Sequence, residues 1–396
     1  NGFQIRPKVH AFWMQPAQAG RMERLAVVNK FDPARKIYLN DDGQVLQVGD
    51  ILKNPDMGQT YQRIANEGIN IFYEGEIAQA IEADMKANGG LLTKEDLAQC
   101  KPVSNPPLSG TYRGYDIVTN QLPGGGLMII EMLNILENFD LKAMGHNSSL
   151  YIRTVAEAMK LATIDKDQQM GDPSFVNVPI EKLASKGYAR LLAESIRCGE
   201  KANVKRLNAG APESKDTTHL VVADSFGNIV NVTHSLGSSS GVITEGLGFM
   251  YNNCMMVFDP RPGHVGSLAP GKARFTAMCP TIISKHGAAT LALGAPGGTT
   301  ITMGILQAIL NSIDFDMTAH EAVSAPRFCV TSNTIELTNR IFRSVESELQ
   351  QLGYGTTRYA ASYITPIVHA IRIKDGKLDG GADPSGDGMA AASRHM

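Results

Sequence analysis

Apolar residues return at three- and four-residue intervals over Asp56 to Glu67, Glu74 to Asn88 and Ser148 to Lys166, and this spacing predicts helices in the first half of the chain. Asn88-Gly89-Gly90 supplies a stop for the second of them, because helices end readily on a residue that accepts the left-handed conformation. Thr93-Lys94-Glu95-Asp96 reads as the start of a further short helix. Leu108 to Val118 reads as a short hairpin, followed by the glycine-rich Leu122-Pro123-Gly124-Gly125-Gly126. The second half has a different texture. Turn-forming residues at Asp224 to Asn228, Ser284 to Ala288 and Lys374 to Lys377 are each flanked by β-prone runs, which predicts three hairpins. Helices are expected at Thr300 to Ile313, at Thr318 to Ala325 with Thr318 and Glu321 as a capping box, and at Arg343 to Leu352. Strand pairs closed by tight turns, with helices grouped between them, point to an α+β architecture of antiparallel sheets covered by helices.

Composition narrows the function classes. With 396 residues, 43% of them hydrophobic, the chain can bury one large core or two ordinary ones. Lys and Arg total 37 against 39 Asp and Glu, no basic block occurs and there is one Trp, so a nucleic-acid or anionic-membrane surface is not indicated. No apolar run approaches the roughly 18 residues of a membrane span. The five cysteines show no C-x-x-C spacing and read as free, mostly buried thiols. The nine histidines show no H-E-x-x-H spacing, so neither a metal nor a cofactor is expected. The first residue is Asn1 rather than Met, which leaves room for a leader or a longer N-terminal segment and keeps the compartment open. Ser393-Arg394-His395-Met396 carries no structural signal.

Three stretches could carry chemistry. Lys201 to Lys215 has no sustained apolar period and reads as an exposed connection; Thr217-Thr218 then opens an apolar strand at once. A threonine hydroxyl needs an adjacent base to attack an amide, and a free α-amino group on the same residue can be that base, since its ordinary pKa is roughly 7.7 to 8.0. A cut between Asp216 and Thr217 would supply nucleophile and base together. Locally, two β-branched residues starting a strand explain the same sequence. Second, Gly294-Ala295-Pro296-Gly297-Gly298-Thr299-Thr300 joins an apolar strand to a helix, so the amides of Gly297 and Gly298 could face an oxyanion. Phosphate would suit the same turn, but no Lys follows the glycines as a nucleotide-binding loop requires. Third, Arg274 and Thr276 stand close together before a strand, where Arg can grip a carboxylate with two bonds.

These stretches, T-T-H-L-V-V-A-D at Thr217, A-M-C-P-T-I-I at Ala277 and G-A-P-G-G-T-T-I at Gly294, resemble in order the γ-glutamyltransferase family of N-terminal nucleophile hydrolases. F-Y-E-G-E-I-A at Phe72, G-G-L-L-T-K-E-D-L at Gly89, P-L-S-G-T-Y-R-G-Y at Pro107, A-P-R-F at Ala325 and G-A-D-P at Gly381 extend the resemblance along nearly the whole chain. It implies a four-layer αββα sandwich with two stacked antiparallel sheets, formed as one composite domain. It also implies a precursor that cuts itself between Asp216 and Thr217, giving a mainly helical large-subunit portion, 1–216, and a small-subunit catalytic portion, 217–396. Thr217 is then the nucleophile, Ser235 stands where the family commonly has a threonine supporting it, and Gly297 and Gly298 are the oxyanion donors. The substrate would be a γ-glutamyl or related acyl amide, and the acceptor water, an amine or a peptide. Periplasmic, secreted and cytoplasmic settings all stay open.

The chain departs from the family pattern in its pocket. Thr276 and Ala277 occupy the places of two serines that bind the α-carboxylate, while Gly237, Cys254 and Val257 stand where polar side chains usually receive the α-amino group. The family's long N-terminal segment, with a carboxylate-binding arginine, has no counterpart here. A site without amine partners is expected to prefer acyl groups that lack an α-amine. The alternative expectation is an uncut, non-catalytic relative that serves as a binding or scaffold protein.

Overall fold

The computed structural model describes residues 2–14, 23–205, 217–363 and 366–393. The expected cleavage residue Asp216 therefore lies outside the described residues. The chain divides into two compact units, one formed by Asn1–Asn105 with Ser238–Asn253, the other by Pro106–Gly237 with Cys254–Met396.

The first unit is mainly helical. Pro55–Glu67 starts where Asn54 accepts a hydrogen bond from the Met57 amide and Pro55 takes a position that needs no donor. Lys94–Gln99 opens with a Thr93/Asp96 capping box. Glu76–Ala87 buries Ile77, Ala78 and Ile81 on one face. The segment 238–253 contributes to this unit's cores: Ile243 and Met250 pack with Val28, Ile37 and Leu52, and Leu247 packs with Ile71, Ile77 and Ile81.

The second unit is built on a six-stranded antiparallel sheet in the order Lys377–Ala382, His369–Lys374, Ala288–Gly294, Thr281–Lys285, Tyr115–Thr119, Leu108–Tyr112. Alternation along Ala288–Gly294 explains how it serves two layers. Leu291 and Leu293 join the main core with helices Gly126–Leu136 and Ile301–Ile313, whereas Ala292 and Gly294 face the other way. On that other side lies the hairpin of Thr217–Ala223 and Ile229–Ser235, which packs on Ala288–Gly294 and His369–Lys374. Its turn is fixed by Asp224, whose carboxylate accepts hydrogen bonds from the amides of Phe226 and Asn228.

The hairpins at Leu108 to Val118, Asp224 to Asn228, Ser284 to Ala288 and Lys374 to Lys377 are all present, as are the helices at Ile301–Ile313, Ala319–Ser324 and Arg343–Gln351. The Thr318/Glu321 capping box forms. Four helices of this unit, Gly126–Leu136, Leu141–Met144, Ile180–Leu183 and Lys186–Arg197, carry no sequence expectation. Every residue of the first is buried, so it has no polar face and no period to read. Expected buried thiols are found at Cys279 and Cys329, but Cys100 and Cys198 are exposed and Cys254 is half-buried; all five are free. Cys100 and Cys198 are the C-cap residues of Lys94–Gln99 and Lys186–Arg197, where the helix ends at the surface. Among the described residues no helix is long and apolar enough to cross a membrane, and no group of His, Cys, Asp or Glu is arranged to hold a metal.

The close approach of hairpin and sheet depends on Gly294. A Cβ there would lie 2.3 to 2.9 Å from atoms of the His219 ring. Gly294→Ala is therefore expected to cost ~1–3 kcal/mol of stability through overpacking. A lowered urea midpoint with unchanged slope would show this.

Candidate active site

Thr217 and Ser235 are partners in the hairpin ladder, and their hydroxyl oxygens are 2.6 Å apart. The amide of Gly237 donates to Ser235 Oγ at 2.9 Å, which fixes the serine hydroxyl from its other side. Both hydroxyls lie on the hairpin face turned to the sheet, together with His219, Asn231 and Thr233. Asn231 Nδ2 donates to the carbonyls of Thr281 and Leu293, at 2.9 and 3.1 Å, tying the hairpin to two central strands.

His219 is buried two residues from Thr217, with Nδ1 2.8 Å from Thr233 Oγ1 and its ring stacked parallel to that of His369 at 6.5 Å. Burial, with His369 beside it, pushes the imidazole down to about 4, so it is neutral at neutral pH. Burial lowers His369 as well, against the opposing pull of Asp383. The His219 ring rests on Gly294, the last residue of the strand that leads into Pro296-Gly297-Gly298.

That turn is built on two glycine conformations at the start of a helix. Gly297 has φ 150° and Gly298 φ 61°, conformations that favour glycine. Thr300 Oγ1 donates to the Gly297 carbonyl at 2.8 Å, and because the peptide is trans the Gly298 N–H points the opposite way. Helix Ile301–Ile313 begins directly beyond, so the turn's amides lie at its positive end.

Arg274 and Thr276 are held differently from each other. The Arg274 guanidinium donates to the Phe275 carbonyl at 3.1 Å and to Cys254 Sγ at 3.4 Å. Cys254 in turn abuts Gly237, where a Cβ would sit 2.7 Å from the sulfur. A continuous path thus runs from Thr217 through Ser235, Gly237 and Cys254 to Arg274. Thr276 is anchored to the glycine-rich stretch instead: its amide donates to the Pro123 carbonyl at 2.8 Å, and its hydroxyl accepts from the Met278 amide at 3.3 Å. Of the two histidines that the sequence puts near Thr217 across the hairpin, His219 shares its face, whereas His234, paired with Thr218, is exposed on the other; Thr233 and Asn231 carry no expectation from the sequence. Their signal is the run of polar residues at every second position of an otherwise apolar hairpin.

A family model described as Gamma-glutamyltranspeptidase matches residues 1–393. The chain belongs to this family. It is 38% identical over 365 residues to an Acylase ACY 1 proenzyme of Pseudomonas sp. (strain V22), covering 91% of this chain and 65% of that one. It is 39% identical over 303 residues to the Glutathione hydrolase proenzyme of Escherichia coli (strain K12), covering 72% and 52%. The chain therefore spans between 52% and 65% of the length of these two curated relatives of the gamma-glutamyltranspeptidase family. The crystal structure of cephalosporin acylase from Bacillus halodurans superposes with a TM-score of 0.85 at 26% identity, over all of this chain and 72% of that one. The mixed α/β fold with antiparallel sheets is thus close to that of a solved acylase.

A histidine lowered from its ordinary 6.5 to about 4 by folding binds fewer protons folded than unfolded between those values. Its contribution to stability is present in full above about 6.5 and is lost as the pH falls towards 4. His219→Gln is expected to flatten this part of the stability curve relative to the parent protein. Parallel curves from pH 4 to 6.5 in chemical denaturation would show that the imidazole is not held neutral.

Proposed function

We propose that this chain forms the core of a self-processing amide hydrolase or acyltransferase in which Thr217, freed by cleavage after Asp216, attacks an acyl amide. The observation that carries the reading is the 2.6 Å contact between the Thr217 and Ser235 hydroxyls, with Ser235 itself fixed by the Gly237 amide. In the proposed reaction the α-amino group of Thr217 takes the hydroxyl proton as Oγ1 adds to the acyl carbon. The amides of Gly297 and Gly298 receive the oxyanion. The amide C–N bond then breaks, the amino group returns its proton to the leaving amine, and water or an amine resolves the ester on Thr217. The proenzyme names of the two relatives support a cut precursor over an uncut scaffold.

The reading includes the full four-layer sandwich. Helices, the six-stranded sheet and the threonine hairpin account for three layers of the second unit. The hairpin's outward face carries Leu220, Val222, Val230 and Val232 at 39% to 56% exposure, an apolar surface that calls for a cover. The acylase structure has further chain beyond the 72% matched.

Mass spectrometry of the purified full-length protein is expected to find a fragment beginning at Thr217, and Thr217→Ala is expected to stay intact and inactive. A chain that remains whole while active, or an active Thr217→Ala variant, would overturn the proposal.

The proposed specificity follows from the side chains beyond Ser235. Gly237, Cys254 and Val257 offer no carboxylate or amide to an ammonium, and the Arg274 guanidinium touches Cys254. An α-amino group bound there would lose water, gain no acceptor from these three side chains and face a like charge, whereas an acyl chain ending in a carboxylate would gain a partner. Glutaryl p-nitroanilide is therefore expected to show a higher kcat/KM than the γ-glutamyl compound. A tenfold preference for the γ-glutamyl compound, about 1.4 kcal/mol in transition-state binding, would mean that other residues supply the amine site.

A further inference from the structure

Ala325-Pro326-Arg327-Phe328 and Gly381-Ala382-Asp383-Pro384 lie far along the chain from Thr217, and the proposed reaction gives neither a task. Arg327 and Asp383 form an ion pair whose side chains are 3% and 0% exposed. A pair this deep loses much of its attraction to desolvation, so its value lies in what else it holds.

Each partner holds one end of the same short segment. Arg327 Nη2 donates to the Pro366 carbonyl at 2.8 Å and to Asp383, while Nη1 donates to the Val323 carbonyl. Asp383 Oδ2 accepts the Val368 amide at 3.0 Å, and Oδ1 accepts the amide and hydroxyl of Ser385 at 2.8 and 2.6 Å. Between these two anchors the Ile367 amide donates to the Pro296 carbonyl at 2.9 Å. Pro366 presses on the next residue of that turn: a Cβ on Gly297 would lie 2.6 Å from Pro366 Cβ and 2.7 Å from its Cα. Its ring also fills the space beside Gly304, in the helix that follows.

We propose that Arg327 and Asp383 are positioning residues that clamp the Pro296-Gly297-Gly298 turn through Pro366 and Val368. The proposal rests on the oxyanion role given to Gly297 and Gly298 above. Two adjacent glycines are conformationally free, yet oxyanion donors stabilise a transition state only when their direction is fixed beforehand. The turn therefore needs an external restraint, and a rigid guanidinium fork that reaches three acceptors at once supplies one. Lysine, with a single ammonium on a flexible stem, cannot reproduce that grip.

The test uses the processed full-length protein with Arg327→Lys, which keeps the charge and loses the fork. A second variant, Asp383→Asn, keeps an acceptor for the Val368 amide and loses the charge. Hydrogen–deuterium exchange of peptides spanning 294–300 is measured beside kcat and KM on an acyl p-nitroanilide. Faster exchange confined to 294–300 is expected, with kcat lower by about tenfold or more and KM within about twofold, since misplaced donors weaken the transition state and not the ground state. Unchanged exchange at 294–300 in both variants overturns the clamp whatever the activity. Faster exchange with unchanged kcat overturns its catalytic role. Protection lost throughout the chain in both variants marks the pair as a general stability element and counts against the proposal. Failure of the oxyanion reading is seen separately, as a protein in which an ester replaces the Gly297–Gly298 amide, removing the Gly298 N–H, and which keeps the parent kcat.

Discussion

Polar atoms fix the contact between the threonine hairpin and the six-stranded sheet at the end that carries Thr217. Stacked sheets ordinarily meet about 10 Å apart over branched apolar residues. Near Thr217, Ala292 and Gly294 leave their strand nearly bare, and His219 and Asn231 reach into the space, one lying on Gly294 and the other bonding the Thr281 and Leu293 carbonyls. Hydrogen bonds are directional, so this contact sets the depth and register of the hairpin more sharply than an apolar one would. A slip of one residue would turn Thr217, His219, Asn231 and Ser235 to the outside and bring Leu220 and Val232 in. The position of the Thr217 hydroxyl is a consequence of that fixed register.

The same strand that receives the hairpin also anchors it to the core. Leu291 and Leu293 sit among Ile129, Ile305 and Ile309, in a cluster whose members are almost fully buried. Core packing at crystalline density resists displacement, so Gly294 and the turn beyond it inherit a rigid base. Helix Ile301–Ile313 is buried along nearly its whole length and holds the far side of the glycine turn. Gly297 and Gly298 take φ values favoured by glycine, and Pro366 packs against Gly297 from outside the turn.

Hairpins and capped helices were legible in the sequence because their signals are local. Asp224 to Asn228, Ser284 to Ala288 and Thr318 with Glu321 each specify a turn or cap within five residues. Helix Gly126–Leu136 was not legible, because a helix buried on all sides shows neither a 3.6-residue period nor a polar face. In the candidate site, the meeting of Thr217 with Ser235 follows from hairpin register, which the turn length fixes. The Cys254–Arg274 contact joins residues 20 apart across an irregular connection, and no periodicity predicts it. Likewise the Arg327–Asp383 pair spans 56 residues. Contacts of this kind depend on tertiary closure, and only the finished fold reveals them.

The proposed chemistry and the proposed specificity rest on different kinds of atoms. Bond making uses a hydroxyl, an amino group and backbone amides, whose placement depends on the hairpin ladder and on the Gly297–Gly298 turn. Substrate choice depends on side chains lining the path beyond Ser235, where Gly237 has room only for hydrogen because Cys254 fills the space. Those side chains stand apart from the ladder and the turn, so in the proposed scheme the acyl group can change while the reaction stays the same. The converse does not hold. Any change that moves Gly294 or His219 shifts the hairpin as a unit, and with it the hydroxyl pair on which every substrate would depend.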